Sequence, residues 1–252
     1  MAFNLKSITS TRRPAARKGV LYGPGKIGKS TTAASLENVV GILTEDGCAN
    51  IDAQAFDVCQ SLSDVYECIG TLLNEDHPFQ NVFLDSIDWL EPLLYAHICQ
   101  QHGWKDIEAP GYGKGYIAAA EEWRTVLAGF DELRYVRNMG VVLLAHEQIK
   151  RFENPMTESY DHYTLKLHQK ATALIQEWAD VIAFANYRTF TRKEDAGFNK
   201  KETKAIGSGE RLLYLEARPA FLAGNRFGLP AEMPLNSESF KILMTPTVPM
   251  QF

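Results

Sequence analysis

The sequence predicts an α/β protein of three layers, with a mainly parallel sheet between two layers of helices. Short apolar runs alternate along the chain with longer segments whose apolar residues recur at helical spacing. This alternation is typical of a parallel sheet that is covered on both faces. Polar residues with possible chemical roles follow several of the runs directly. They are expected to meet at one edge, because ligands of such sheets bind beyond the carboxyl ends of the strands.

Length and composition restrict the class of protein further. A chain of 252 residues suits one α/β domain with a sizeable core. Its net charge of -5 gives no overall electrostatic attraction to nucleic acid, so any contact with DNA requires local basic patches. We expect no membrane span and no secretory signal, since apolar runs of the required length are missing. The cysteines lack metal-ligand spacing and are expected to be free thiols, namely Cys48, Cys59, Cys68 and Cys99.

The elements follow the chain in order. Apolar runs predict strands at 19–22, 39–44, 82–84, 141–144, 181–185 and 211–217. Helical spacing predicts helices at 31–36, 61–74, 89–101, 117–138 and 167–179, the fourth with a buried face that includes Ile117 and Val136. We expect loops at 103–116 and 149–165, a mobile β-hairpin tip at 192–210, and irregular structure after Pro230. The expected divisions are a flexible basic arm at 1–18, one core domain at 19–235 and a tail at 236–252.

Residues 23–30 read GPGKIGKS and fit the pattern GxxxxGK[ST] between a predicted strand and a predicted helix. That context is typical of a phosphate-binding loop, because glycines let backbone amides approach phosphates and the helix start favours anions. Lys29 would reach the β- and γ-phosphates, and the Ser30 hydroxyl would hold Mg²⁺. The sequence therefore predicts a site for ATP and Mg²⁺, formed by Gly23, Pro24, Gly25, Lys26, Ile27, Gly28, Lys29, Ser30 and Thr31.

The order of elements narrows the class of nucleotide-binding protein. A complete strand and helix separate the loop from Asp85, the acidic residue expected to hold the metal through water. ATPases of the RecA and AAA types insert a strand in this way. Ser86 follows Asp85, where AAA-type enzymes usually carry a catalytic glutamate. RecA-type enzymes carry that glutamate at the end of the inserted strand, which is where Glu45 is expected.

With these residues the sequence resembles the phage RecA-like ATPases that act as single-strand annealing proteins. The resemblance runs from about residue 18 to residue 230. It is carried by the ordered segments YGPGKIGKS, LTEDG, VFLDS, GYGKGY, VVLLAHEQ and AGNRFGLP. It implies a P-loop NTPase with a RecA-like sheet, ATP hydrolysis, binding of single-stranded DNA, and head-to-tail assembly into a ring or filament. It also suggests a single-strand DNA-binding protein as partner, and the host cytoplasm as the location of a phage-encoded protein.

The candidate catalytic groups have alternatives. Glu45 would orient and deprotonate the attacking water, with Asp46 as the substitute and a solvated turn carboxylate as the plainer interpretation. The resemblance gives Gln148 a contact with the γ-phosphate, and His146 competes for that role or forms a structural hydrogen bond. Lys26 either contacts a phosphate or is a solvated loop lysine.

Arg226 either acts in trans as an arginine finger or is a surface arginine. The resemblance is incomplete at this motif, because the family commonly carries a lysine before an acidic residue and the arginine. Here the arginine follows Gly224 and Asn225.

Two segments are candidates for contact with single-stranded DNA, which is bound by basic grooves and aromatic stacking. Their candidate residues are Lys105, Tyr112 and Lys114 in the first, and Lys150, Arg151, Phe152, Tyr163 and Lys166 in the second. Acidic residues are interleaved with them, so composition alone favours solvated loops and only the resemblance favours DNA. Basic residues in the segment 188–204 add possible phosphate contacts.

Two other functions remain open from the sequence. One is a nucleotide-dependent switch or assembly module that acts through a protein partner with little hydrolysis. The other is a small-molecule kinase, which would need an arginine-rich lid over the acceptor, and the glycine-containing hairpin tip matches such a lid poorly.

Overall fold

The structure, a computed structural model, describes residues 15–195 and 201–246. Most of the expected N-terminal arm, the end of the hairpin and the last six residues therefore lie outside the described residues. The strands are β1 (Lys18–Gly23), β2 (Val39–Leu43), β3 (Asn81–Asp85), β4 (Gly140–Phe152), β5 (Tyr160–Leu165), β6 (Val181–Asp195), β7 (Lys201–Tyr214), β8 (Gly224–Asn225) and β9 (Glu232–Pro234). The helices are α1 (Lys29–Ala34), α2 (Leu62–Asn74), α3 (Ile87–His102), α4 (Lys114–Arg137), α5 (Gln169–Trp178) and α6 (Ser237–Met244).

The strands form one sheet in the order β2-β3-β4-β1-β6-β7-β9, with β5 paired to β4 and β8 paired to β6. The first five strands of this order, namely β2, β3, β4, β1 and β6, pair in parallel. Strands β7 and β9 continue the sheet antiparallel. This confirms the mainly parallel sheet and the C-terminal hairpin region. The strand between β1 and β3 is β4, so it was wrong to identify the inserted strand with the one that ends at Glu45. That strand, β2, pairs with β3 on its other side.

Alternation along the strands produces the three layers. Val20, Leu84 and Leu143 contribute to a core beneath α2, α3, α4 and α5. Their neighbours Leu21 and Phe83 contribute to a second core, which contains the buried residues of α1 and α6. The three-layer α/β prediction is confirmed, and the short apolar runs are its buried strands.

The helix boundaries differ modestly from expectation. Helix α3 begins at Ile87 and α4 at Lys114, each a few residues before the predicted start. The predicted buried face of α4 is right at Trp123 and wrong at Ile117 and Val136, which are exposed. Ile117 lies six positions before Trp123, about 120° around the helix, so it cannot share that face.

Two segments have more structure than the sequence indicated. The expected loop at 149–165 is wrong, because β4 continues to Phe152 and pairs antiparallel with β5. The expected tail contains α6, whose Phe240 and Leu243 are buried. The Arg17 guanidinium, at the end of the expected arm, is buried and donates 2.6 Å to the Leu243 carbonyl. Both ends of the described chain are thus held to the core.

Gly115 provides a test of the packing at the start of α4. A Cβ there would lie 1.9 Å from the Ile107 carbonyl oxygen, so Gly115→Ala must displace backbone. We expect it to lower the free energy of unfolding by about 1–3 kcal/mol in urea titrations. The matched Gly70→Ala lies within α2 and meets nothing within 4 Å. It should raise stability by up to about 1 kcal/mol, and equal effects of the two changes would contradict the packing described.

Candidate functional site

The phosphate-binding loop closes tightly between β1 and α1. Gly28 precedes α1 with a φ of 110°, in the left-handed region that favours glycine. Lys29 is 6% exposed, and its Nζ donates to the carbonyl oxygens of Gly23 (2.8 Å) and Pro24 (2.9 Å). Ile27 is fully buried and holds the loop to the core, whereas Lys26 is exposed at a φ of 65°. The loop therefore presents one buried and one exposed lysine.

Acidic groups surround the buried lysine. Burial lowers the pKa of Lys29, and the negative charges of Glu147, Asp85, Asp88 and Glu45 oppose that shift, with Glu147 the strongest. From the sequence, His146 and Gln148 were considered as candidates, but Glu147, which lies between them, was passed over. Its position just beyond a buried run was the signal that could have found it, since β4 borders β1 and His146 pairs with Gly23.

The two candidate metal ligands converge on one thiol. Asp85 is 4% exposed at the end of β3, and its Oδ2 lies 3.5 Å from the Cys48 sulfur. The Ser30 side chain acts on the same thiol and opposes the rise of its pKa. Burial and then Asp85 raise the pKa of Cys48 to about 12, so it is protonated at neutral pH. No pattern in the sequence indicates that Cys48 lies beside Asp85.

The chemistry of Ser30 and Asp85 fits Mg²⁺. A hydroxyl and a carboxylate are oxygen ligands, and Mg²⁺ usually keeps several waters and is completed by substrate phosphates. Within the described residues, no group of three or more histidine, cysteine or acidic side chains could hold a metal without such help. These two residues would therefore hold Mg²⁺ together with a bound phosphate.

Glu45, which lies just past β2, is held by Ser86, the residue that follows the neighbouring strand β3. The Ser86 hydroxyl donates to Glu45 Oε1 at 2.8 Å. Thr44 Oγ1 in turn accepts from the Ser86 amide at 2.9 Å. Asp46 is exposed, whereas Glu45 is half-buried. These contacts distinguish Glu45 from a freely solvated turn carboxylate and favour it over Asp46.

His146 and Gln148 are both engaged in hydrogen bonds. The Nδ1 atom of His146 lies 3.0 Å from Asp88 Oδ2, and its backbone N–H donates to Asp88 Oδ1 at 3.0 Å. The Gln148 amide donates to the carbonyl oxygens of Leu165 and Leu167. Gln148 thereby joins β4 to the segment between β5 and α5. Its expected contact with a γ-phosphate would require these bonds to break.

The His146–Asp88 pair should make stability depend on pH. The hydrogen bond that His146 donates to the Asp88 carboxylate raises the pKa of His146 above its ordinary value near 6.5. The stabilisation is therefore complete below about pH 6.5 and is lost as pH rises through the higher folded-state pKa. Burial alone would raise the pKa of Asp88, but the hydrogen bonds of His146 lower it overall. The contribution of Asp88 is consequently lost only in acid, as pH falls through that lowered value.

We expect His146→Gln to reduce the free energy of unfolding more at about pH 6 than at about pH 9. Urea titrations at both pH values measure the difference. His97→Gln is the control, because the His97 ring contacts Gln101 in the same helix rather than a carboxylate. A loss that is equal at both pH values would contradict the pairing.

Arg226 lies near the amino ends of the parallel strands, whereas the phosphate-binding loop lies beyond their carboxyl ends. Its guanidinium contacts Asp180 Oδ1 at 3.3 Å and donates to the Glu177 carbonyl at 3.0 Å. Asp180 precedes β6 and donates its amide to the carbonyl of Lys18, the first residue of β1. Arg226 thus cannot serve the nucleotide site of its own chain, and a role in trans stays a prediction.

The hairpin of β4 and β5 separates its side chains onto two faces. Lys150 pairs with His162, and Phe152 pairs with Tyr160, so all four share one face. The Phe152 ring lies 5.5 Å from Tyr160 and 5.8 Å from His162. Arg151 is on the other face, opposite Asp161. The sequence predicted a solvated loop from its interleaved acids, but alternation removes Asp161 from the basic and aromatic face.

The remaining DNA candidates differ in exposure. Lys105, Tyr112 and Lys114 are exposed, and Lys166 is exposed with its Nζ 4.0 Å from Asp88. Tyr163 is partly buried, and its ring packs on Phe184 at 5.2 Å. This packing in the core makes Tyr163 a poor candidate for stacking on a base, contrary to expectation.

Comparisons with known proteins place this geometry in context. A family model described as an AAA domain, AAA_24, matches residues 15–227. The crystal structure of the RadB recombinase is similar with a TM-score of 0.47 and 17% identity, covering 86% of this chain and 85% of that one. No curated protein matches. In the described part of the chain, no helix has both the length and the apolar character that crossing a membrane requires.

Proposed function

The chain belongs to the AAA_24 family of AAA domains, and from this premise we propose that it hydrolyses ATP with Mg²⁺ and acts on single-stranded DNA. In phage recombination it would promote the annealing or pairing of strands. The observation that carries the proposal is the edge of the sheet where Lys29, Asp85 and Glu45 meet. The hairpin of β4 and β5 continues from a strand at that same edge.

The roles in hydrolysis follow from position and charge. Lys29 would neutralise phosphate charge in a buried site, where electrostatic stabilisation is stronger than in water. Ser30 and Asp85 would hold Mg²⁺, which supplies further charge neutralisation on the phosphates when bound. Glu45, held by Ser86 at 2.8 Å, would orient the attacking water and accept its proton. Gln148 would exchange its carbonyl partners for a phosphate contact and so connect the site to the hairpin.

Single-stranded DNA would contact the basic and aromatic face of that hairpin. Lys150 supplies charge, and Phe152, Tyr160 and His162 supply rings on which bases stack without sequence preference. Tyr112, Lys105 and Lys114 would extend this surface from the segment before α4. Assembly into a ring or filament uses one head-to-tail interface in either case, and Arg226 is the candidate to complete a neighbour's site. A single-strand DNA-binding protein is a further candidate partner.

Turnover measured with and without single-stranded DNA tests the proposal. We expect Mg²⁺-dependent hydrolysis that DNA stimulates. Nucleotide binding with negligible turnover, even with DNA present, would instead favour the switch that acts through a protein partner. Turnover that requires a small-molecule acceptor would indicate a kinase.

Binding of labelled single strands, with and without ATP, tests the DNA surface. Phe152→Ala should weaken binding by about 5-fold to 100-fold, as expected for the loss of one stacked base. Tyr135→Ala removes an exposed ring from the last turn of α4 and should leave affinity unchanged. If the unaltered protein shows no affinity at low salt in either condition, the DNA part of the proposal is wrong.

A further inference from the structure

An arginine from β7 contacts the phosphate-binding loop from outside. The Arg211 Nη1 atom donates to the Ile27 carbonyl oxygen at 3.0 Å. A Cβ on Gly28 would lie only 2.9 Å from that same nitrogen, so the guanidinium packs closely on the loop backbone. Arg211 is distant in sequence from the loop and belongs to no motif that identifies it.

The sheet explains how Arg211 reaches this position. β7 is separated from β1 by β6, so its contact with the loop spans a strand. Arg211 pairs with Tyr187, three residues beyond the Phe184 that pairs with Tyr22 of β1. It therefore lies past the carboxyl end of β1. Alternation places it with Leu213, which packs in the core on the side of α1.

Several contacts hold the stem of the β6–β7 hairpin, residues 184–189 and 209–214, in place around Arg211. Arg188 contacts Glu210 at 2.7 Å and Glu232 of β9 at 3.5 Å. The Arg211 carbonyl accepts the amide of Leu235 at 2.9 Å. The backbone of Arg211 is thus fixed within the sheet while its side chain contacts the loop. The Arg211 side chain is therefore a direct contact between the stem and the loop.

We propose that Arg211 is a positioning residue, which holds the phosphate-binding loop in shape and couples nucleotide binding to the β6–β7 hairpin. This rests on the proposed ATP-binding function. The guanidinium suits the task because it keeps its charge and offers several N–H donors in a fixed plane. One donor holds the Ile27 carbonyl, and the permanent charge places a further cation against the loop that contains Lys26 and Lys29.

Amide hydrogen exchange in the nucleotide-free protein tests the first half of the proposal without relying on nucleotide binding. In Arg211→Ala, amides of residues 25–29 should exchange faster than in the unaltered protein. Arg211→Lys keeps a charged donor and should restore much of the protection. Arg124→Ala removes an exposed arginine that pairs with Glu121 one turn away in α4, and should change nothing in the loop. Unaltered exchange of the loop in Arg211→Ala would overturn the contact as a restraint.

Titration with a fluorescent ADP analogue tests the second half. We expect Arg211→Ala to weaken binding about 10-fold, as for the loss of a hydrogen bond to a charged group, and Arg211→Lys to recover part of the loss. In the unaltered protein, ADP should protect amides of the stem at 184–189 and 209–214, and Arg211→Ala should lose this protection even at saturation. Protection that persists in the saturated variant would overturn the coupling. If the unaltered protein binds no nucleotide, the proposed function and the coupling are both wrong, while the loop restraint is judged on the exchange data.

Discussion

Replacing Lys29 with alanine should abolish ATP turnover and weaken nucleotide binding by about 100-fold or more. Lys29 is the buried cation of the loop, with its ammonium 2.8 Å from the Gly23 carbonyl. Its removal takes away the buried positive charge on which Glu147, Asp85, Asp88 and Glu45 act, where phosphates must bind. Steady-state turnover and titration with a fluorescent nucleotide measure the two effects.

Lys26→Ala is the matched control for this change, because it removes the other lysine of the same loop. Lys26 is exposed and its removal vacates no buried position. We expect a loss of binding that is at least ten times smaller than for Lys29→Ala, in line with the weaker interactions of solvated charges. Turnover that survives in Lys29→Ala would show that the assignment of the site is wrong.

Glu45→Gln should lower kcat by about 10²-fold to 10⁴-fold while nucleotide binding is largely retained. The amide keeps the size of the side chain and can still accept the hydrogen bond from Ser86, but it cannot take a proton from water. The expected separation of kcat from binding distinguishes a catalytic base from a residue that only shapes the site. Single-turnover hydrolysis together with nucleotide titration measures it.

Glu147→Gln is the informative comparison, since Glu147 is the carboxylate whose charge acts most strongly on Lys29. It lies within β4, the strand that separates β1 from β3, one residue past the His146 that pairs with Gly23. We expect this change to alter nucleotide affinity and to leave the chemical step within about 10-fold, far less than the loss of a general base. A collapse of kcat in Glu147→Gln, with Glu45→Gln active, would transfer the role of base to Glu147.

Local patterns in the sequence were sufficient for the core of this fold. The strand before Gly23, the run before Asp85 and the apolar face around Trp123 each follow from the spacing of neighbouring residues. The phosphate-binding loop could be found for the same reason, because its residues are contiguous. Each of these features is confirmed as an element at nearly the predicted position.

Features that depend on distant contacts could not be predicted in this way. Cys48 beside Asp85 and Arg211 beside Ile27 are brought together only by the order of strands in the sheet. That order also decides that β4, rather than β2, separates β1 from β3. The hairpin at 149–165 was missed because most of its residues are exposed and only the end of β5 reaches the core, so it has no continuous apolar face to reveal its period.

The two ends of the described chain lie close together, far from the GPGKIGKS loop at residues 23–30. Ala16 and Pro246 line one cavity of about 570 Å³, which also contains Asn81 and Gly140 from the starts of β3 and β4. In a variant that lacks residues 1–14 and 247–252, a short peptide between these ends would therefore close the chain into a circle without disturbing the sheet. The same chain could then be reopened at an exposed turn such as 75–78. Circular permutants of this kind would relocate the termini while keeping the nucleotide edge intact.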